Sequence, residues 1–345
     1  MGASSVWLVD HYTGWFPTQM WTTDLTWMAR RSAPPNAYFD WQVLAGALAG
    51  RCGPVQLAVG VTDTIRRHPV SLAQAALTMS HLTDVPPILG VGAGEAANLS
   101  PYGIEFARPV ARLEEGLQVV RLLFDSQGPV DFHGEFFHLE QAILDVAPGR
   151  GGRPQLWVAA HGPRMLTLTG RYGDGWYPAI PMAPPEYAEA LAHIEKAAAE
   201  AGRDPASVVA GLDAFYVVGR NDADVRRQLE HPAIRFLALL APDTAWRRVG
   251  LTHPMGRGFR GMVDLVPVRY GRAEMEAAID RVPVDLLATQ IIAGTPDQIV
   301  ERLRALAAVG MRHVVLNPVS PLVSRRALTY TLRTLPGLVR RLRTG

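Results

Sequence analysis

The sequence predicts an α/β fold built on a parallel sheet, and three observations carry the prediction. Short runs rich in Val, Ile and Leu alternate with amphipathic segments through the 345 residues, which is the pattern of repeated βα units. Several of those runs end in a histidine, a carboxylate or a glycine-rich turn, and parallel α/β barrels place their chemistry at that end of the strand. No internal repeat or low-complexity stretch breaks the alternation.

The elements follow in order. Candidate strands are Val6–Asp10, Val55–Val61, Pro87–Gly92, Gln155–Ala160, Gly175–Ala179, Val209–Val218 and His313–Asn317. The first, with its run Val6-Trp7-Leu8-Val9, reads as short and fully buried. Among the helices, Leu72–Leu82 starts after Pro69 and Ser71, and Val110–Phe124 sets Leu113, Leu117, Val120 and Leu123 at helical spacing. Pro185–Ala201 stops at Gly202. Thr295-Pro296-Asp297-Gln298 joins a cap, a proline at the first helical position and a glutamine three after the cap, opening a helix that runs to Gly310. Leu322–Leu342 reads as a basic-faced helix interrupted by Pro336.

Seven strands fall one short of a closed (β/α)8 barrel. Either the sheet is open, or the first βα unit lies outside this sequence, because Met1-Gly2 and the following Ala-Ser-Ser look like a helix end running into a strand. The second reading is adopted: one domain over residues 1–345, with an aromatic-rich loop at 15–42 and an insertion at about 243–272.

Composition narrows the function. A hydrophobic content of 48% supports a large core. The net charge is +2 and no run of five or six like charges occurs, so no nucleic-acid partner is expected. The basic pI of 8.8 comes from scattered arginines, which read as solvated surface, and Lys196 is the sole lysine. Cys52 stands alone in a turn-like setting, so no disulfide within the chain is possible and a reducing compartment fits. No apolar stretch reaches the roughly 18 residues that span a bilayer, and no secretory leader pattern opens the chain. A cytoplasmic protein is the expectation.

The candidate chemistry lies at strand ends. Asp10-His11 emerges where the first strand meets a loop, with Trp15 four residues past His11. A histidine there is placed to move protons; the alternative is that the pair only caps a strand. Gly90-Val91-Gly92-Ala93-Gly94-Glu95 turns a strand into a glycine-rich loop ending in a carboxylate, without the third glycine of the dinucleotide fingerprint. Such glycines either admit a flat or phosphorylated ligand or serve the turn alone. Gly60-Val61-Thr62 closes another strand ahead of Arg66-Arg67, which either hold an anion or cap a junction. Ala160-His161-Gly162 precedes a helix whose free amides could seat a phosphate.

Three motifs are discounted. His133, Glu135 and His138 depart from zinc-helix spacing and read as a hairpin, so no metal is assigned. His253-Pro254-Met255-Gly256 reads as loop chemistry, and no nucleophile elbow is present. The segment Trp15–Trp41 holds half of the eight tryptophans. Its aromatics must be buried against something, as a local core, as a subunit interface or as the wall of a pocket for a lipophilic substrate. A mixture is expected.

Taken in order, Asp10-His11…Trp15, Gly60-Val61-Thr62, Gly92-Ala93-Gly94-Glu95…Asn98, Ala159-Ala160-His161-Gly162-Pro163, Gly170-Arg171-Tyr172-Gly173-Asp174-Gly175-Trp176 and Gly294-Thr295-Pro296 resemble the bacterial-luciferase-like superfamily. Within it the chain is similar to the branch using the deazaflavin coenzyme F420. Val61-Thr62-Asp63…Arg66-Arg67, Trp157–Leu166 and His253-Pro254-Met255-Gly256 look closer still to the phthiodiolone ketoreductases of mycobacterial lipid biosynthesis. The resemblance spans nearly the whole chain and implies a TIM-type barrel.

The resemblance also implies residue roles. His11 would be the acid/base, Trp15 would flank the reacting centre and Glu95 would manage a proton. Gly60-Val61 would be joined by a cis peptide under the cofactor ring. Asp10, Thr62, Ala93, Gly94, Asn98 and Ala160 would surround the cofactor, with His161-Gly162 at its phosphate. The family's cofactor-binding lysines have no counterpart, and Arg66, Arg67 or Arg164 are the candidate substitutes. The expected reaction moves hydride between F420 and a carbonyl or secondary alcohol of an apolar, lipid-like substrate, in a homodimer. An FMN-dependent monooxygenase and a non-catalytic flavin- or lipid-binding barrel are the alternatives.

Overall fold

The computed structural model describes residues 2–30 and 34–343. Its strands are β1 (Ser5–Leu8), β2 (Gln56–Asp63), β3 (Ile88–Gly92), β4 (Val130–His133), β5 (His138–Ala142), β6 (Gln155–Val158), β7 (Gly175–Trp176), β8 (Val209–Val218), β9 (Ile292–Gly294) and β10 (His313–Pro318). Between them lie α1 (Trp41–Ala49), α2 (Pro69–Leu82), α3 (Pro109–Asp125), α4 (Pro163–Tyr172) and α5 (Pro184–Glu200). Five short helices separate β8 from β9: α6 (Asp222–Leu229), α7 (Pro232–Arg235), α8 (Asp243–Arg248), α9 (Arg272–Asp280) and α10 (Val284–Gln290). Last come α11 (Pro296–Ala308) and α12 (Arg325–Arg343), after β9 and β10.

The sheet runs β1-β2-β3-β6-β7-β8-β10, all parallel, with β9 added to the far end of β8 and β4-β5 set apart as an antiparallel hairpin. Side chains show that it curls into a barrel. The Trp7 ring of β1 meets Trp157 of β6 at 5.4 Å and His313 of β10 at 5.8 Å. Ser5 Oγ accepts from Trp7 Nε1 at 2.9 Å and lies 3.1 Å from His313 Nε2, linking the first and last strands. Trp7, Ala58, Ile88, Trp157, Tyr177 and Val315 thus fill the interior. A larger core lies between the sheet and its outer helices, and a second one under α6 to α10 takes in Met20, Phe236 and Trp246.

Several expectations are corrected. β1 is not fully buried: Val6 is exposed, as is Val9 just past its end, because among the described residues β1 pairs with β2 alone and β10 with β8 alone along the sheet path. The strand expected at Gly175–Ala179 shortens to two residues, Pro178 having no N–H for the ladder. β9, only three residues long, escapes a pattern search. Pro336 does not interrupt α12; it replaces an amide whose helical partner would be the carbonyl of the exposed Leu332, which water can reach. The segment 243–272 belongs to the longer helical run between β8 and β9. No helix among the described residues is long and apolar enough to cross a membrane.

Candidate active site

The β1 and β2 ends are pinned by a buried ion-pair cluster. Asp10 accepts from Thr62 Oγ1 at 2.7 Å and from Arg67 through Nε at 2.8 Å and Nη2 at 2.9 Å. Arg66 donates to the Asp10 carbonyl at 2.7 Å and to Asp63 at 2.5 Å. Burial alone would raise the Asp10 carboxyl, but the Arg67 hydrogen bonds, the Arg66 charge and Thr62 outweigh it and hold the group below its ordinary range. Arg67 also binds Asp40, the N-cap of α1, at 2.8 Å. This network makes Asp10 and Thr62 scaffold rather than ligand contacts, and it occupies the two arginines expected to hold an anion. Arg164 is spent on Glu114 at 2.9 Å.

Past this anchor the chain places four site residues in one hydrogen-bonded array. Asn98, buried at the end of β3, accepts from the backbone amides of Tyr12 at 2.7 Å and Thr13 at 3.0 Å, which fixes its amide orientation. Its Nδ2 then lies 3.3 Å from both His11 Nδ1 and Glu95 Oε2. Trp15 Nε1 donates to the same Glu95 oxygen at 2.8 Å. His11 Nδ1 also lies 3.2 Å from the Thr13 carbonyl. The ring can therefore donate from Nδ1 to Thr13, or accept there from Asn98; either tautomer leaves Nε2 without a partner among the described residues. The His11 and Trp15 rings meet edge to face at 5.2 Å.

His11 and Trp15 open onto a cavity of about 820 Å³ whose upper wall is mostly aromatic, with Phe16, Trp21, Tyr38 and Phe215, and which runs down between β1 and β10 to Ser5 and Arg343. The aromatic loop splits as expected. Trp15, Phe16, Trp21 and Tyr38 line the cavity, Trp41 sits in the core at the start of α1, and Trp27 donates to the Pro321 carbonyl at 2.9 Å. Beside the cavity the Gly60–Val61 peptide is cis, and the β2–β3 register shifts between Val59 and Thr62. Gly60 must lack a side chain: a Cβ there would come 2.5 Å from Trp7 and 3.0 Å from the Tyr177 hydroxyl. Gly94 adopts φ +84°, which lets the turn swing Glu95 back toward Trp15.

At the end of β6 the alternation of faces reverses one assignment. Ala160 packs outward into the core, and its carbonyl accepts from Trp176 Nε1 at 2.8 Å, so Ala159 is the residue facing inward. His161 accepts from the Ala179 amide at Nε2 (3.1 Å), which requires that nitrogen to be unprotonated. Gly162 caps α4 without a side-chain hydrogen bond, leaving the helix amides free, and no atom lies within 4 Å of the Cβ position there. Gly162 and α4 are thus open to a phosphate.

Sequence reasoning missed Asp213 and Tyr177. Both line the cavity from deeper in the barrel, side by side. The one available signal was an acid inside the otherwise apolar run Val209–Val218. Of the discounted histidines, His133 and His138 do sit on a hairpin, with rings 4.5 Å apart. His253 is fully buried and accepts from the Met255 amide at 3.0 Å.

Fold and array together define a parallel barrel with a histidine past β1 and a carboxylate past β3 brought together beside one aromatic cavity. Residues 1–313 match the model for "Luciferase-like monooxygenase", and the chain belongs to that bacterial-luciferase-like family. It is 38% identical over 92% of its length to a phthiodiolone/phenolphthiodiolone dimycocerosates ketoreductase from Mycobacterium tuberculosis, covering 84% of that protein. Among solved structures it superimposes on an F420-dependent secondary alcohol dehydrogenase holding an F420-acetone adduct, with TM-score 0.72 and 22% identity over 97% of this chain and 90% of the other. The coenzyme F420-dependent tetrahydromethanopterin reductase of Methanopyrus kandleri gives TM-score 0.69 and 19% identity, over 96% and 90% respectively. These likenesses establish a luciferase-like TIM barrel.

Proposed function

We propose that this protein is an F420-dependent oxidoreductase interconverting a ketone and a secondary alcohol on an apolar, lipid-like substrate. The single observation that carries the reading is the His11–Asn98–Glu95–Trp15 array at the mouth of an aromatic cavity. The ketoreductase named among its relatives supports reduction as the working direction. The residues present suit the cofactor: a largely apolar cavity large enough for a flat ring, and free amides at α4 beside Gly162 for its phosphate. When bound, the deazaflavin would supply the hydride.

The chain's own residues do the rest. His11, doubly protonated and with Nδ1–H donating to the Thr13 carbonyl, gives its Nε2 proton to the developing alkoxide oxygen and is left as the neutral ring. In the reverse direction the neutral ring takes that proton back at Nε2. The Thr13 carbonyl holds Nδ1–H through both states, so the ring does not turn as Nε2 gains and loses its proton. Trp15 and Asn98 both bind Glu95 Oε2, which leaves Oε1 to meet the cofactor or a proton in transit. Trp15, Phe16, Trp21 and Phe215 exclude water and receive an apolar chain. Exposed Phe39 and Val43 at the start of α1 offer a face for a second copy of the chain, and the homodimer expected from the family would show in sedimentation.

Titrating the purified protein separately with F420 and FMN tests the cofactor: F420 binds, FMN does not compete. Tight FMN binding with no F420 binding would favour the monooxygenase reading instead. Binding without turnover of any ketone or alcohol would leave only a binding barrel. His11→Ala should keep F420 affinity and lose roughly 10²–10⁴ in turnover; full turnover in that variant rejects the assignment of the acid/base.

A further inference from the structure

Asp213 lies midway along β8 with its side chain inside the barrel, 8% exposed, and it lines the same cavity as His11 and Trp15. Its backbone amide donates to the Pro178 carbonyl at 2.8 Å, which brings β8 against Tyr177. The Tyr177 hydroxyl lies beside the Asp213 carboxyl and acts on its titration, yet Asp213 Oδ1 has no hydrogen-bond partner. No arginine or lysine among the described residues forms an ion pair with it. A buried carboxyl oxygen without a partner is uncommon in native proteins, so this one marks a place that another molecule completes.

The surroundings give the geometry of that molecule. Two residues along β8, on the same face, Phe215 meets Trp15 at 6.1 Å. At about 3.3 Å rise per residue, Asp213 lies about 7 Å deeper than Phe215. Tyr177 stacks on Trp7 at 4.5 Å with a 16° tilt, and its hydroxyl reaches the space beside Gly60. At this depth the cavity wall is therefore an aromatic pair carrying one polar edge, and below it the cavity continues past His313 toward Ser5 and Arg343.

Resting on the cofactor reading above, we propose that Asp213 is the hydrogen-bonding anchor on the wall of this cavity, one layer below the aromatic mouth. Through its under-partnered carboxyl it binds a neutral polar group, a ring hydroxyl or ring amide, at the deep edge of the bound flat heterocycle. Burial pushes the carboxyl up to about 7, against the opposing effect of the Tyr177 hydroxyl, so a neutral acid able to donate is present near neutrality. The other titratable groups facing the interior are Tyr177 itself, raised by burial and by Asp213, and His313, one layer below and lowered by burial. His11 lies above, at the cavity mouth.

The test is a fluorescence titration of wild type, Asp213→Asn and Asp213→Leu with F420 at pH 6 and pH 9, with circular dichroism to check folding. Leu should bind roughly tenfold more weakly than wild type at pH 6, the loss expected when one buried hydrogen bond goes unmade. The ratio of wild-type to Asn affinity should fall from pH 6 to pH 9, because only wild type acquires a charge there. A difference infrared spectrum should show a protonated-carboxyl band that Asn removes. Wild-type affinity in a folded Leu variant overturns the anchor and assigns the free oxygen to water. If Leu does not fold, an unchanged wild-type to Asn ratio across pH overturns it equally. Binding of FMN but not F420 by wild type overturns the cofactor assignment alone, and the variants are then scored with FMN by the same criteria.

Discussion

His11 and Glu95 were legible in the sequence because each stands just past a strand end, where a polar residue has no core-packing reason to be, whereas Asn98 and the role of Trp15 were visible only through the family resemblance. Their contacts add what spacing could not: two donors converge on one oxygen of Glu95. Trp15→Phe keeps the ring but removes the N–H. It should shift the pH profile of turnover while leaving the fold intact, and a profile identical to wild type would separate Trp15 from Glu95 function. Asp10 reads as a ligand contact in sequence and is a structural ion, because its partners Thr62 and Arg67 are more than 50 residues away. Arg67→Ala leaves that buried carboxylate under-paired and should lower stability by about 3–5 kcal/mol. A denaturant midpoint within error of wild type would show the cluster to be dispensable.

At the scale of elements, local signals worked where local chemistry decides. The Thr295 capping box forms as read, with Thr295 Oγ1 accepting from the Gln298 amide and the Gln298 side chain accepting from the Thr295 amide at 2.7 Å. Thr295→Ala should cost about 1 kcal/mol, measurable as a shift in the unfolding midpoint at unchanged slope. The failures have one cause, tertiary context. β9 is defined by pairing with β8 rather than by its own three residues, and the exposure of β1 follows from how the sheet is paired. Ala159 and Ala160 are chemically identical, so only the strand's phase decides which one faces the barrel.

For the whole molecule, the titration of Asp213 sets a pH dependence of stability. Its folded value of about 7 lies above the ordinary 3.8, so between these the native state holds a proton that the unfolded chain has released. Stability therefore falls as pH rises through that window and levels off above it. Asp213→Asn should match wild type below about pH 4 and exceed it by on the order of 2–4 kcal/mol above pH 7. Melting curves across pH give the check; a constant difference would mean the carboxyl is ionised throughout. Asp10 acts oppositely, its contribution being lost as acid brings it through its lowered value. Asp213 stayed hidden in the sequence because an acid in an apolar strand declares neither its face nor its neighbour until the barrel closes around it.

The barrel interior also constrains how this chain can vary. The Trp157 indole occupies the space where Gly175 and Gly211 have no side chains: a Cβ at Gly175 would overlap the ring, and one at Gly211 would come 2.8 Å from it. Substitution at any of the three is therefore epistatic with the others. Gly175→Ala alone should abolish soluble expression, whereas the same change with Trp157→Leu should recover it. Homologues that have traded away the indole are then free to carry a side chain at the Gly175 position, whereas Gly211 stays barred by the Trp176 carbonyl at 2.7 Å.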